Sequence, residues 1–228
     1  MINLFIVESG LELIPRKIWK HPTIVNYCKK RKKTPNKILL DISFHYDAMQ
    51  KLKDWYKRGR PDIVHTCLLE ALSSPLNLNG FLRIFIHTFD EKIIFINPKI
   101  RLPRNYNRFT GLMAQLLHDG KIPPGSKEKL MWIEKIDLDD LFKKYIPTYT
   151  IVFDENGTYK NIFSFISNLS VKKIKNMFLI IGGFQRGKMS RKFYEKADEI
   201  ISIYKHSLDT WIVISRILCA LEIKLNIY

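Results

Sequence analysis

Two groups of residues in this sequence combine types and spacing that can do chemistry, and the first is a glycine loop. Gly182, Gly183 and Gly187 follow directly on the apolar run 178–181, which is typical of a strand. Glycines at the carboxyl end of a strand let the backbone approach a ligand and present N–H groups to it. The spacing matches neither a dinucleotide-binding turn nor a P-loop. The loop therefore predicts either a ligand site or an ordinary strand–turn–helix connection.

The second group is a set of arginines. Arg101, Arg104 and Arg108 lie at spacings of three and four, with no acidic residue between Glu91 and Asp119. A guanidinium offers a planar fork of donors that suits phosphates and base edges. At these spacings around the start of a helix, the three side chains converge on one side. The set therefore predicts a contact surface for an anion such as nucleic acid.

Other kinds of catalytic site find no support in the sequence. The six histidines are scattered and the three cysteines lie far apart, so neither a metal site nor a disulfide framework is predicted. The GxSxG motif of serine hydrolases and the HExxH motif of zinc proteases are both missing. We expect His65 to be structural. A reaction would therefore depend on positioning a cofactor against a substrate.

The charge of the chain indicates an anionic partner. Lys and Arg total 38 against 22 Asp and Glu, so the formal net charge is +16 over 228 residues. This excess favours nucleic acid or a membrane surface as the partner. The basic residues are most concentrated in two runs, residues 29–37 and 51–60. A run such as 29–37 is also typical of a solvated face. The basic residues form no amphipathic helix, so we predict no membrane partner.

The elements that must position these residues are predicted to form an α/β domain with a largely parallel sheet and a β-hairpin, because strands alternate with helices. Predicted strands are 2–7, 38–42, 81–88, 92–97, 130–136, 148–153, 178–181 and 200–204, and predicted helices are 21–33, 43–56, 61–73, 105–118, 137–145, 159–168 and 207–225. The last helix, with Ser207 as N-cap, is apolar nearly all round and is expected to be buried within the domain or against a partner chain.

Six segments, taken in order, resemble the motifs of one family. They are residues 57–65 (KRGRPDIVH), 74–77 (SPLN), 86–88 (IHT), 101–117 (RLPRNYNRFTGLMAQLL), 182–188 (GGFQRGK) and 201–208 (ISIYKHSL). Together they resemble the SPOUT-class methyltransferases that modify N1 of a pseudouridine in small-subunit rRNA, the essential-for-mitotic-growth family. The long arginine block is the most specific match, and the first 50 residues match least. The second loop lacks the family's proline, and the first has Gln185-Arg186 where the family often has Ala-His.

The resemblance implies a fold and a cofactor. It implies one SPOUT-type domain over residues 1–228, with a hairpin insertion at about 78–100 and a C-terminal trefoil knot at about 148–228. It also implies a homodimer formed through the knot region. The cofactor would be S-adenosylmethionine. By motif, the residues that would bind it are Gly182, Gly187, Ile200, Ile201, Ser202, Ile203, Tyr204 and Lys205.

The resemblance also assigns the RNA-binding residues, which are Arg60, Arg101, Arg104 and Arg108. Arg60 and Asp62 would form the catalytic pair. Asp62 would hold the Arg60 guanidinium in place through a fork of hydrogen bonds, and it is also a candidate proton acceptor.

Two other functions stay open at this point. The chain would be an rRNA-binding ribosome assembly factor without essential catalysis if it bound RNA but no cofactor. It would be a SPOUT methyltransferase acting on tRNA if tRNA competed better than rRNA. Other assembly factors are further candidate partners. The compact chain and its few, widely separated cysteines favour a cytoplasmic, archaeal protein, and a nucleolar one is the alternative if the source is eukaryotic.

Overall fold

A single eight-stranded sheet organises the protein, whose computed structural model describes residues 1–227. The strands are β1 (Ile2–Ser9), β2 (Leu82–Thr88), β3 (Ile93–Ile96), β4 (Lys121–Ile122), β5 (Met131–Glu134), β6 (Thr150–Tyr159), β7 (Phe178–Gly182) and β8 (Glu199–Ser202). Their order across the sheet is β4-β5-β3-β2-β1-β7-β6-β8. The strands from β2 to β8 in this order pair in parallel, whereas β3, β4 and β5 form an antiparallel extension. The predicted α/β class is confirmed, and β2 and β3 pair antiparallel across the short turn at Asp90-Glu91.

Ten helices surround the sheet in the described residues, and capping residues mark the two ends of α5. They are α1 (Pro22–Arg31), α2 (Ile42–Met49), α3 (Pro61–Ser73), α4 (Pro75–Leu78), α5 (Tyr106–Asp119), α6 (Leu138–Tyr145), α7 (Ile162–Ser167), α8 (Val171–Ile174), α9 (Arg191–Tyr194) and α10 (Thr210–Leu225), with short 3-10 turns at Arg16–Ile18, Pro35–Lys37 and Trp55–Lys57. In α5, the Asn105 side chain accepts from the Arg108 amide at 3.1 Å, and Gly120 ends the helix at φ +80°.

The core lies on both faces of the sheet. Strand β1 is buried along its whole length, as a central parallel strand should be. Helices α3, α5, α7 and α10 cover one face, and α10 packs on α3 and α7. Helices α6 and α9 contribute to a second cluster around Phe5, Phe85 and Phe178. A third cluster, around Ile24, Leu40 and Met49, supports α1 and α2. Within residues 1–227, no helix is long and apolar enough to cross a membrane.

Two predicted elements between residues 38 and 56 are wrong in position. Residues 38–42 form no strand: Leu39 makes one isolated bridge to Leu13, and Asp41 caps α2 by accepting from the Ser43 amide at 2.9 Å. The helix predicted over 43–56 ends at Met49, and the chain then passes through Asp54, at φ +51°, into the 3-10 turn Trp55–Lys57.

The last helix also starts later than expected. Ser207 is not its N-cap: α10 begins at Thr210, with Asp209 in the capping position. Strand β6, by contrast, is longer than the predicted strand 148–153. It runs on to Tyr159 through a register shift against β8, so the following helix begins only at Ile162.

Candidate cofactor cleft and nucleic-acid interface

A cleft of about 570 Å³ opens at the carboxyl ends of β6, β7 and β8. Open α/β sheets bind ligands at this edge, because loops leaving neighbouring parallel strands meet there. The walls come from β6 and the loops after β7 and β8, and the start of α10 closes one end. Its volume lies within the range of about 300–1,000 Å³ that is usual for small-molecule sites. The glycine loop is therefore part of a ligand-sized cleft.

Most of the predicted cofactor residues line this cleft. Those that do are Gly182, Gly187, Ile201, Ser202, Ile203 and Tyr204. The loop after β8 is held by a hydrogen bond from the Ser202 hydroxyl to the Tyr204 carbonyl oxygen at 2.7 Å. Two predicted residues, Ile200 and Lys205, are outside the lining and exposed to solvent. In β8 the side chains alternate in direction, so Ile201 is buried while Ile200 is 38% exposed.

Sequence reasoning missed the contribution of β6, whose residues Asp154, Glu155 and Asn156 also line the cleft. The hydroxyl of Tyr194 donates to Asp154 at 2.5 Å, and the Asn156 amide donates to it at 2.8 Å. Burial alone would raise the pKa of Asp154, but these hydrogen bonds outweigh it and hold the pKa below its ordinary value. The only signal in the sequence is a polar run that continues an apolar strand.

Close backbone approaches shape the cleft. A Cβ atom on Gly157 would lie 2.6 to 2.8 Å from backbone atoms of Ile201, so only glycine lets β6 and β8 come together here. At the other wall, the Thr210 hydroxyl donates to the Gly182 carbonyl oxygen at 2.8 Å, which fastens α10 to the glycine loop. The cleft is therefore defined largely by the main chain.

Arg60 and Asp62 form the fork that the family resemblance implies. Arg60 Nε lies 2.8 Å from Asp62 Oδ1, and Nη2 lies 2.7 Å from Oδ2. This hydrogen bonding is the largest cause that raises the pKa of Arg60, so the guanidinium stays charged. The Arg60 side chain is 20% exposed, which leaves part of it open to a ligand. The geometry is that of a preorganised cation.

Arg101, Arg104 and Arg108 are all exposed at the start of α5 and in the segment before it. None of them forms a salt bridge with the part of the chain that the structure describes. The segment is anchored to α3 by His65, whose Nε2 lies 2.8 Å from the Pro103 carbonyl oxygen and whose ring stacks on Phe109. The structural role predicted for His65 is confirmed, and it fixes the loop between Arg101 and Arg104.

The main chain joins the Arg60 loop to the glycine loop. The Arg60 amide donates to the Gly10 carbonyl oxygen at 2.9 Å, and the Gly10 amide donates to the Gly183 carbonyl oxygen at 3.1 Å. A Cβ atom on Gly10 would lie 2.9 Å from the carbonyl oxygen of Lys57, so this close approach requires glycine. Any ligand in the cleft and any anion at Arg60 are thus held by adjacent, connected loops.

A buried ion pair reinforces the same junction. Lys57 Nζ lies 2.8 Å from Glu8 Oε2 and also donates to the Lys188 carbonyl oxygen. The Ser190 hydroxyl donates to the other oxygen of Glu8. Buried charges that are paired and hydrogen-bonded in this way hold loops in one arrangement.

Comparison with known proteins identifies the family. The family model described as EMG1/NEP1 methyltransferase matches residues 4–222. This chain belongs to the EMG1/NEP1 methyltransferase family. The resemblance that the motifs indicated is therefore confirmed.

Relatives in the EMG1/NEP1 family match along the whole chain. A protein from Staphylothermus marinus named ribosomal RNA small subunit methyltransferase Nep1 is 45% identical over 99% of this chain and 97% of its own. A protein of the same name from Thermococcus kodakarensis is 40% identical over the full length of both. Among solved structures, Archaeoglobus fulgidus Nep1 bound to S-adenosylhomocysteine matches with a TM-score of 0.85 and 34% identity, covering 98% of each chain.

Proposed function

We propose that this protein transfers a methyl group from S-adenosylmethionine to N1 of a pseudouridine in small-subunit rRNA. The observation that carries the proposal is the backbone connection through Gly10, which sets the glycine-lined cleft beside the Arg60–Asp62 fork. Relatives named small-subunit rRNA methyltransferases and a similar structure bound to S-adenosylhomocysteine support it.

The cleft fits the cofactor. Its volume suits a ligand of that size, and the glycine loop lets the backbone approach closely. Gly182, Gly187 and the chain from Ile201 to Tyr204 would hold it, while Ile200 and Lys205 would act only through the chain beside the cleft. When bound, the cofactor supplies a methyl group already activated by the positive sulfur. The protein must therefore align the base with it rather than activate a nucleophile strongly.

Arg60 would meet the target base. RNA bases that undergo chemistry are extruded from their stack and read on aromatic or arginine surfaces. A fixed guanidinium there stabilises the charge that develops on the ring as N1 gives up its proton. Both carboxylate oxygens of Asp62 are engaged by Arg60, which favours a positioning role for Asp62 over that of proton acceptor.

Arg101, Arg104 and Arg108 would grip the RNA backbone around the target. They are exposed, and free of salt bridges within residues 1–227. The rest of the +16 charge adds attraction at long range, which is strongly dependent on salt.

We extend the proposal to architecture. Residues 1–228 would form one SPOUT-type domain with the hairpin insertion at about 78–100 and a trefoil knot from about 148; Tyr228 lies outside the described residues. The single sheet, with β7 inserted between β1 and β6, supports this assignment. The enzyme would act as a homodimer through the knot region. Ile212 and Ile223 of α10, which are 38% and 55% exposed, are apolar residues that a second copy would cover.

We propose further that the enzyme works in the cytoplasm of an archaeal cell, because the relatives that it matches are archaeal. Small-subunit rRNA would be its main partner, and ribosome assembly factors would be further partners. An assembly role without catalysis is the second candidate, because the cation surface would bind RNA even with an empty cleft. Calorimetry separates the two, since the binding-only protein would bind RNA tightly and would not bind S-adenosylhomocysteine.

Methyl transfer to matched RNAs tests the function directly. Two stem-loops from small-subunit rRNA would be compared, identical except that one carries pseudouridine and the other uridine at a single loop position. With labelled S-adenosylmethionine, we expect label on the pseudouridine RNA alone, because only pseudouridine has a free N1–H. Equal labelling of both would exclude the N1 chemistry, and labelling of tRNA in preference to either would favour a tRNA substrate.

A further inference from the structure

A second cleft, of about 230 Å³, lies between α1, the segment that leads into α2, and α5. It is separate from the cofactor cleft and shares none of its lining residues. Its volume falls below the usual range of about 300–1,000 Å³ for small-molecule sites, so one ring system fills it better than a whole cofactor does. The lining combines aromatic rings with cations.

We propose that this cleft binds a single-stranded nucleotide of the RNA next to the methylated one, with its base against Tyr27 and Phe44 and its phosphate at Arg31, Lys33 and Lys37. The inference rests on the proposed function, because it takes RNA as the partner. It adds a binding subsite outside the arginine set and assigns a role to part of the basic run 29–37.

The charge of the cleft favours a phosphate. Arg31, Lys33 and Lys37 line it, and none of them forms a salt bridge across residues 1–227. Asp41 is the one carboxylate among the described lining residues, and it is 5% exposed. Its oxygens already accept hydrogen bonds from the Ser43 amide at 2.9 Å and the Tyr106 hydroxyl at 2.5 Å. The cleft therefore presents cations to solvent while its carboxylate is turned inward.

The aromatic rings favour a base. Phe44 is 43% exposed, and its ring centroid lies 5.2 Å from that of Tyr27 with a tilt of 34°. The Arg31 guanidinium lies over the Tyr27 ring at 5.4 Å. Proteins bind single-stranded nucleic acid by stacking bases on aromatic rings and arginine planes in a positively charged groove. The three side chains provide both components at one place.

A helical glycine keeps the cleft open. Gly111 lies in the interior of α5, where glycine is less favourable than alanine. A Cβ atom there would meet no atom within 4 Å, so packing against a neighbour does not require glycine. Gly111 lines the cleft, and any longer side chain would project into it.

The cleft lies next to the arginine surface, which consists of Arg60, Arg101, Arg104 and Arg108, and this position favours RNA as the occupant. Besides its hydrogen bond to Asp62, which is the largest cause, the nearby carboxylate of Asp41 raises the pKa of Arg60. Asp41 is part of the cleft wall, and the hydroxyl of Tyr106, which also lines the cleft, donates a hydrogen bond to it. Helix α5 carries both Arg108 and Gly111. An RNA strand that reaches Arg60 and Arg108 therefore passes the mouth of this cleft.

The test combines abasic RNAs with variants of the cleft. Stem-loops that lack one base at a time, on either side of the target, are titrated against the full protein by fluorescence anisotropy. We expect one abasic position to weaken binding to the wild type by about 5- to 150-fold, the range of base–aromatic stacking. For Gly111→Leu, the intact RNA should bind as weakly as that abasic RNA, and removing the base should have no further effect. The affinity of Gly111→Ala for the intact RNA should lie between those of the wild type and Gly111→Leu.

Matched controls separate occupancy of the cleft from general effects. Gln115→Leu places the same leucine side chain at an exposed site on the same helix, outside the cleft. Lys33→Gln with Lys37→Gln should lower the slope of log affinity against log salt by up to about 0.7, the value for one phosphate on a single strand. Lys29→Gln with Lys30→Gln removes the same charge from the same run without touching the cleft and should lower the slope less. Because the Gly111 substitutions favour helix, melting temperatures should not fall.

The outcomes are decisive for this inference. If Gly111→Leu binds every RNA as the wild type does, or if Gln115→Leu weakens binding equally, the cleft does not hold a nucleotide. If the wild type binds and methylates the intact stem-loop in that case, the proposed function stands and only the second subsite is lost. If the wild type neither binds nor methylates any stem-loop, the proposed function itself fails.

Discussion

The cofactor cleft and the arginine surface are built from different parts of the same polypeptide. The cleft depends on the main chain, with loops brought together by parallel strands and with Gly157 allowing β6 to touch β8. The arginine surface depends on side chains, above all the fork of Arg60 on Asp62 and the exposed Arg101, Arg104 and Arg108. Substitutions in the cofactor cleft should therefore change its geometry, and substitutions in the arginine surface should change its charge.

The junction of the two regions explains how they cooperate. Gly10 bridges the loop of Arg60 and the glycine loop by two backbone hydrogen bonds, and the buried pair of Lys57 and Glu8 holds the same loops. Rigid support of this kind keeps reacting groups aligned, which is where much of the rate of a transfer reaction arises. Substitutions in the cofactor cleft and in the arginine surface should therefore cause separate defects, the first in cofactor binding and the second in RNA binding.

The largest separable effect is expected at Arg60. Arg60→Ala should lower the rate of methyl transfer about 10²- to 10³-fold, as loss of one preorganised donor does elsewhere. Its affinity for S-adenosylhomocysteine, measured by calorimetry, should stay within about twofold of the wild type. Asp62→Asn should lower the rate less, because the arginine remains. Turnover close to that of the wild type would remove Arg60 from the mechanism.

An effect of intermediate size is expected on the stability of the fold at acidic pH, because of His45. Burial lowers the pKa of His45 to about 4, against the opposing influence of Asp41. An ordinary histidine in the unfolded chain titrates near pH 6.5, so between these values the unfolded state binds the extra proton. Stability should therefore fall on acidification from pH 7 to pH 4, by at most about 3 kcal/mol from this residue.

Urea unfolding at pH 7 and pH 5 measures the effect. His45→Gln should lose less stability between the two pH values than the wild type does. Because Arg60 stays charged throughout, RNA binding by the folded protein should not show this pH dependence. Equal losses in the wild type and the variant would show that other groups titrate instead.

Gly157 tests whether the cleft is a main-chain construction. Gly157→Ala places a methyl group against the backbone of Ile201, where no side chain can move aside. We expect the free energy of unfolding to fall by about 1–3 kcal/mol. Cofactor affinity should fall with it while RNA affinity at fixed salt is kept. A variant with unchanged affinity for S-adenosylhomocysteine would show that the approach of β6 to β8 does not shape the site.

The smallest effects are expected at the single cations of the arginine surface. Arg101→Gln, Arg104→Gln and Arg108→Gln should each lower the salt slope of RNA binding by about 0.7, if each neutralises one phosphate. Cofactor affinity should not change, because none of the three lines the cleft. Arg191→Gln, at an exposed arginine already paired with Glu195, is the control. A slope that does not change for any of the three would contradict their role as phosphate contacts.

The arginine surface could be predicted from the sequence better than the cofactor cleft could, for a physical reason. The fork at Arg60 is predicted because residues 57–65 resemble a family motif, and α5 is predicted because its apolar residues repeat with the helical period. Asp154 and Asn156 reach the cleft only because β6 pairs with β8 about 45 residues later, which no local pattern records. The strand expected at 38–42 fails similarly, since Asp41 is used as a helix cap.

Mass spectrometry of small-subunit rRNA from cells with and without this gene tests the central claim most directly. The proposed function predicts that one pseudouridine loses a single methyl group when the gene is removed, while the pseudouridine itself remains. Expression of the wild-type chain should restore the methyl group, and expression of Arg60→Ala should not. An rRNA modification pattern that is the same with and without the gene would contradict the claim.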